Sequence, residues 1–344
     1  KADDFDNITM VNCSNSNTIK FGGVSEKLYL GGVRGNSPIV VDKDQGSNIG
    51  NMNKGKIVFS ETAKTYYLYL GGYCGEYEEG YHNLEFKNST NMHSTEASIE
   101  CAGTVTDTAY IGGFAGYAIF AITPKREGIS VNDCEALKVE NTGLIKVTDT
   151  ACLNNVYIAG ACGYATNYDS SSNEYTGHIR GLANSGTIEI ATPKTKDATQ
   201  YPTSVYMGGI AGYLNLGSKT SSNLGTIAEN TKLLKDCDNN GTIIYNGIAR
   251  DGAYIGGVVG KAYTAGVKDC HNTGKIVSAG NAGSLSAEEV QATENNDKRR
   301  KPQLHYHDLA IGGVVGETNR DIDNCTSNAK IYREATIIPL KVDI

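Results

Sequence analysis

YIGGVVGKAYTAGVKDCHNTGKIV, residues 254–277, joins two short segments that recur along the whole chain. The first, YIGGVVG at 254–260, returns as YLGGVRG at 29–35, YLGGYCG at 69–75, YIGGFAG at 110–116, YIAGACG at 157–163, YMGGIAG at 206–212 and AIGGVVG at 310–316. The second, CHNTGKI at 270–276, returns as CSNSNTI at 13–19, NMNKGKI at 51–57, CDNNGTI at 237–243 and CTSNAKI at 325–331. Looser copies are IECAGTV at 99–105, VENTGLI at 139–145 and LANSGTI at 182–188. Self-similarity at periods of about 40–56 residues marks a repeat architecture. The unit lengthens toward the C-terminus.

Both segments are short, rich in β-branched residues and Tyr, and punctuated by Gly and Asn, so they read as strands. A unit of this size cannot bury its own apolar face and must stack on its neighbours. The expected fold is therefore all-β: a parallel β-solenoid, or β-helix, of about eight glycine-rich repeats with strands about 4.8 Å apart. A β-propeller is the alternative, although each blade needs four strands and this unit supplies two or three. The expected organisation is one repeat solenoid over residues 1–334, with insertions at about 167–180 and 278–304. The apolar stretch 335–344 lies outside the repeat, as a cap or the start of a following segment.

Asn15, Asn53, Asn141, Asn184, Asn239 and Asn272 hold one phase of the second segment, with Cys101 and Ser327 at the exceptional units. Stacked copies predict an amide ladder at a coil corner, because Asn tolerates left-handed backbone and bonds its own turn. The Gly two residues later supplies positive φ or close approach at that corner. A repeated Gly-Gly inside a strand is costly unless something packs too close for a Cβ, either a neighbouring sheet or a sharp corner. Which of the alternating side chains in this segment face inward is left open, and Arg34 suggests that its set meets water in the first unit.

The composition, 39% hydrophobic and 20% charged, is that of a folded soluble chain, so 41 Gly and 21 Tyr without Trp need a structural cause. A formal charge of −7 with dispersed Lys and Arg argues against a nucleic-acid partner. No apolar run approaches the length that crosses a bilayer, and the N-terminal KADDFDN has no signal-like core. Nine Cys without a Cys-x-x-Cys pair disfavour a metal site. Free buried thiols are expected, even for the neighbours Cys237 and Cys270. No nucleophile elbow, P-loop or His-Glu-x-x-His occurs, so no cofactor is expected.

The Gly-Gly-apolar-x-Gly and Cys/Ser-x-Asn-x-Gly-x-Ile pattern, as in residues 254–277, resembles the GLUG repeat of bacterial surface proteins. The resemblance covers nearly the whole chain, loosely in the first half, and implies an extracellular or cell-surface, adhesin-like role. It transfers no catalytic residue.

Tyr29, Tyr69, Tyr110, Tyr157, Tyr206 and Tyr254 share one phase and predict a stripe about 24 Å long at the strand spacing. Exposed, such a stripe binds glycan rings or a partner protein; buried, it is an aromatic ladder that holds the stack. Asp236 and Asp269, with Asn12 and Asn324 at their phase, are either carboxylates for acid–base or calcium chemistry or turn residues beside Lys235 and Lys268. His305 and His307 form a possible metal pair, or part of a surface loop. The leading expectation is a non-enzymatic extracellular stalk or adhesin that binds glycan or protein through a sheet face or long loops. A β-helix polysaccharide lyase or hydrolase and a self-assembling filament subunit pairing through its ends are the alternatives.

Overall fold

The computed structural model describes residues 13–39, 52–79, 92–95, 98–120, 138–167, 178–194, 200–216, 233–263, 265–284, 305–306 and 308–333. Among them there is no α-helix, and strands stack coil on coil into an all-β parallel solenoid. Two sheets contain eight strands and two contain seven, so the stack at the usual strand spacing stands about 34 Å tall. A propeller is excluded: among the described residues successive units pair in parallel, and the one antiparallel pair is a local contact of Gly283–Ser284 with His305–Tyr306.

One coil shows the path. Asp238–Asn239 enters the first sheet, Thr242–Tyr245 the second, Gly252–Gly256 the third and Val259–Tyr263 the fourth. Gly266–Lys268 then leads through a turn to the next coil. Inward side chains fill two separate cores. One lies between the second and third sheets, where Ile243, Ile255, Ile188, Ile158 and Leu70 are packed. The other lies inside the fourth sheet and is built of small residues such as Ala115, Cys162, Ala211, Val258 and Val259. This answers which residues of the Tyr-Ile-Gly-Gly-Val-Val-Gly segment turn inward: Ile255 enters the first core, Val258 and Val259 the second, and the glycine pair divides them.

The division is a waist, where opposite walls of the coil touch. A Cβ on the second glycine of each pair would strike the amide column: Gly113 meets Asn141, Gly209 meets Asn239 and Gly257 meets Asn272. The first glycine of each pair faces its own corner instead, so that Gly112 lies against the carbonyl of Ala115 and Gly208 against that of Ala211. Both causes predicted for the glycine pair are thus present, one for each glycine. Ala159 sits in the first-glycine column, so that corner alone accommodates a methyl group.

The amide column is a ladder within the first sheet. Asn141 Nδ2 donates to Asn184 Oδ1 at 2.7 Å, Asn184 to Asn239 at 2.7 Å, Asn239 to Asn272 at 2.9 Å, and Asn272 to the Gly313 carbonyl at 2.7 Å. Asn15 donates to Asn53 at 2.9 Å. Oδ1 also accepts from the N–H two residues on, as in Asn239 to Gly241. The asparagines themselves are in strands; left-handed φ belongs to Asp236, Asp269, Asn324 and Gly181, one turn earlier. The glycines after the asparagines serve close approach: a Cβ on Gly241 would meet the Gly186 carbonyl, and one on Gly274 the Gly241 carbonyl.

Two readings of the sequence are corrected. In the third unit Cys101 does not take the asparagine position. It pairs with Phe59 and Val147 in the second sheet, and the ladder register falls on Thr95, opposite Asn53 and Asn141. The spacing from Ile99, which pairs with Ile57 and Ile145, sets that register and overrides the Cys-x-Gly likeness. Arg34, in turn, does not mark a water-facing set: it pairs with Cys74 in a column that is core-facing in every later coil.

The predicted insertions contain repeat strands at their edges, since Cys162–Asn167, His178–Arg180, Lys275–Ser278 and Asn281–Ser284 all pair with neighbouring coils. Residues 168–177 and 285–304, with Tyr168, Tyr175 and the basic run 298–301, lie outside the described residues, as do 335–344, Asn12 and the side chains of His305 and His307.

Candidate functional site

On the outside of the waist the third and fourth sheets meet at a concave angle, and tyrosines fill it. Tyr29, Tyr69, Tyr110, Tyr157, Tyr206 and Tyr254 occupy one register column, directly above one another. Ring centroids are 4.6, 5.1, 5.2, 4.7 and 5.3 Å apart in that order, and neighbouring rings are near parallel. Strand stacking dictates the spacing; the outward phase of Tyr beside the inward phase of Leu, Ile or Met dictates the side.

A second column was not foreseen. Tyr117, Tyr164 and Tyr213 stack 5.0 and 5.2 Å apart on the fourth sheet. They meet the first column edge to face, with interplanar angles of 76° for Tyr110–Tyr117 and 87° for Tyr206–Tyr213. The signal was present in the sequence: Tyr follows the third glycine of the repeat at 116–117, 163–164 and 212–213. Before this column comes Glu76 and after it Lys261, whose Nζ lies 4.4 Å from the Tyr254 ring centre and 3.0 Å from Glu317. The third glycine is obligatory here, because a Cβ on Gly116 or Gly212 would strike the carbonyl of Tyr110 or Tyr206.

All nine tyrosines are half-buried. Burial, with Tyr29 and Glu76 nearby, pushes the Tyr69 phenol up to about 12. Burial is also the main cause that raises Tyr110, Tyr157, Tyr164 and Tyr213. These five phenols are therefore neutral at physiological pH, each able to donate and accept one hydrogen bond. Each stacked or edge-to-face pair adds about 0.5–1.5 kcal/mol beyond its buried area, so the columns also hold the coils together. The ring faces cover one another within each column, so ring edges and hydroxyls are what this tyrosine-filled cleft has to offer a partner.

Asp236 and Asp269 have a different setting. Their left-handed backbone closes the turn before the cysteine column, where Gly181 and Asn324 take the same place, and Asp, Asn and Gly are the residues that tolerate it. Each faces a cation from the coil below: Arg180–Asp236 at 3.7 Å and Lys235–Asp269 at 3.5 Å. In the next coil the turn residue is Asn324, and Lys268 pairs instead with Asp323, in its own register column, at 2.6 Å. The Asn324 amide, with Lys235, holds the Asp269 carboxyl below its ordinary value, so it is a poor proton donor. Cys237, Cys270 and Cys325 stack beside this turn, each thiol donating to the carbonyl two residues earlier. Hydrogen bonding with Cys237 and burial push the Cys270 thiol up, which keeps it protonated. Among the described residues no group of three or more His, Cys, Asp or Glu converges to hold a metal. No helix there is long and apolar enough to cross a membrane.

The path from the tyrosine strand, around the glycine corner and through the left-handed turn to the amide and isoleucine strands spans 251–277. Residues 251–277 match the GLUG motif. No curated protein and no solved structure matches the chain. The GLUG segment thus corresponds to one closed circuit of the solenoid. The matched segment contains the waist residues Gly256, Gly257 and Asn272, the last of which a Cβ on Gly257 would strike, and Ile276 in the core.

Proposed function

We propose that the chain is a non-enzymatic extracellular repeat protein, a stalk or adhesin-like module of a cell surface, that engages a glycan or a surface protein along its tyrosine cleft. The observation that carries this reading is the tyrosine column that runs up one outer edge through six successive coils, flanked by a second column through three of them, while the other repeated residues serve packing. A row of neutral hydroxyls at about 4.8 Å intervals suits an extended chain with polar groups at a similar repeat, such as a linear glycan. The GLUG match supports the repeat architecture, and the surface role goes with it as our proposal.

The experiment is a glycan-array and pull-down screen of the chain beside two variants. Tyr110, Tyr157 and Tyr206 changed to Phe removes hydroxyls and keeps the stack; the same three changed to Ser removes the rings. Binding lost in the Phe variant, with an unchanged circular-dichroism spectrum, supports recognition by the cleft. Equal binding by wild type and a folded Phe variant, or no binding by wild type, refutes it.

A further inference from the structure

Two arginines break the column rule, one at each end of the described stack. Arg34 in the first coil occupies the column continued by Cys74, Ala115, Cys162, Ala211 and Val259, all buried. Arg333 in the last coil occupies the column formed by Phe59, Cys101, Val147, Ile190, Tyr245 and Ser278, again all buried. The first column belongs to the small-residue core and the second to the isoleucine core, so each end carries one cation over one core. Arg34 Nη1 is already buried without a hydrogen-bond acceptor, and the Ser278 hydroxyl beneath Arg333 is in the same condition.

The ends are otherwise adhesive. Both terminal coils carry strand edges with nothing paired on their outer side among the described residues. Apolar side chains are exposed there: Val24 is 80% accessible at one end, Ile331 47% and Tyr332 46% at the other. Open parallel edges over apolar columns are templates for pairing with another chain. A second copy added head to tail would bring Phe21 of one molecule onto Arg333 of the other, since Phe21 begins the column that Arg333 ends. It would also bring Arg34 over the column that ends at Val315. Each contact would bury a guanidinium with no carboxylate opposite, which is strongly unfavourable.

We infer that Arg34 and Arg333 set the two ends of the described stack against pairing with a second copy of the same chain. Within the stack these columns demand small or apolar residues; at an end, where Arg333 is exposed and Arg34 only partly buried, a cation is compatible with the fold, and it opposes the next layer.

Sedimentation velocity over a concentration series tests this on the 344-residue chain. Wild type and the Arg34→Lys/Arg333→Lys variant are expected to remain monomeric. Arg34→Ala/Arg333→Leu, which restores the column chemistry, is expected to associate to at least twice the monomer mass with its β spectrum retained. Arg333→Leu alone, on an exposed terminal strand, carries the same expectation should the double variant fold poorly. A folded Leu variant that stays monomeric overturns the inference, as does association by wild type or by the Lys variant.

Discussion

Replacing Asn184 with Ala should destabilise the solenoid far more than the loss of one average polar contact. Asn184 is 1% accessible; its Oδ1 accepts from Asn141 and its Nδ2 donates to Asn239, both at 2.7 Å. Alanine would take from Asn141 Nδ2 its acceptor on Asn184 and from Asn239 Oδ1 one of two donors, the Gly241 N–H remaining, in a space so close to Gly160 that a Cβ there would strike the Asn184 side chain. The buried donor left without that acceptor costs about 1–3 kcal/mol and the bond lost from Asn239 Oδ1 about 0.5–1.5 kcal/mol, so the expected loss is about 1.5–4.5 kcal/mol. Asn53→Ala is the internal control. Its Nδ2 already lacks a partner, and the donors that lose its Oδ1 keep other acceptors, Asn15 Nδ2 the Asn17 carbonyl and the Gly55 N–H the Asn15 carbonyl, at the solvated end coil, so about 1 kcal/mol is expected. Native-state hydrogen exchange is the suitable assay, because a repeat array opens coil by coil and a single unfolding transition would blur position. The lowered protection should centre on the coils of Asn141, Asn184 and Asn239. A cost below about 1 kcal/mol at Asn184, or one equal to that of Asn53, would refute the ladder as a buried, continuous network.

The tyrosine columns should make the fold alkali-sensitive. Folded phenol pKa values above the unfolded value of about 10 stabilise the protein fully below that pH, and the contribution is lost as pH rises through the folded values, about 12 for Tyr69. Phenolate absorbance followed with circular dichroism should therefore show late ionisation coincident with unfolding; early titration with the fold intact would contradict it. Cys237 and Cys270 are 0% accessible, so a thiol reagent should modify them only after denaturation, and rapid labelling of the native chain would speak against the core placement. Asp269→Gly should be nearly neutral and Asp269→Val should cost about 1–2 kcal/mol or more in urea unfolding, because the site needs left-handed backbone; a large loss with Gly would give the carboxylate a role beyond the turn.

The period, the strand character and the parallel stacking were legible from the recurrence of Tyr-Ile-Gly-Gly and Cys-x-Asn-x-Gly-x-Ile alone, since stacking identical units in parallel sets identical residues above one another. The amide ladder was legible for the same reason. The waist was not, because that Gly209 touches Asn239 depends on how the chain turns between them, and neither local pattern encodes the angle. The register of the third unit was misread because Ile99 lies six residues before Val105, and a two-residue alternation alone does not choose between such frames. The first tyrosine column was visible as a phase of the repeat. Tyr117, Tyr164 and Tyr213 were overlooked because three units carry Tyr there while Glu76 and Lys261 occupy the same column in the flanking coils. Arg34 looked like a change of face, whereas an end coil can place a cation in a core column without burying it fully.

The central claim, that opposite walls of each coil meet at the glycine pair, is tested most directly by a double-mutant cycle between Gly209→Ala and Asn239→Gly. A Cβ on Gly209 would press on Cβ and Cγ of Asn239, and removing that side chain opens the space, although the Gly257 carbonyl still limits it. The account predicts that the double variant is more stable than the sum of the single losses by about 1–3 kcal/mol, the range for residues in direct contact. Additivity within about 0.5 kcal/mol would mean that the two walls do not touch, and would contradict the fold described.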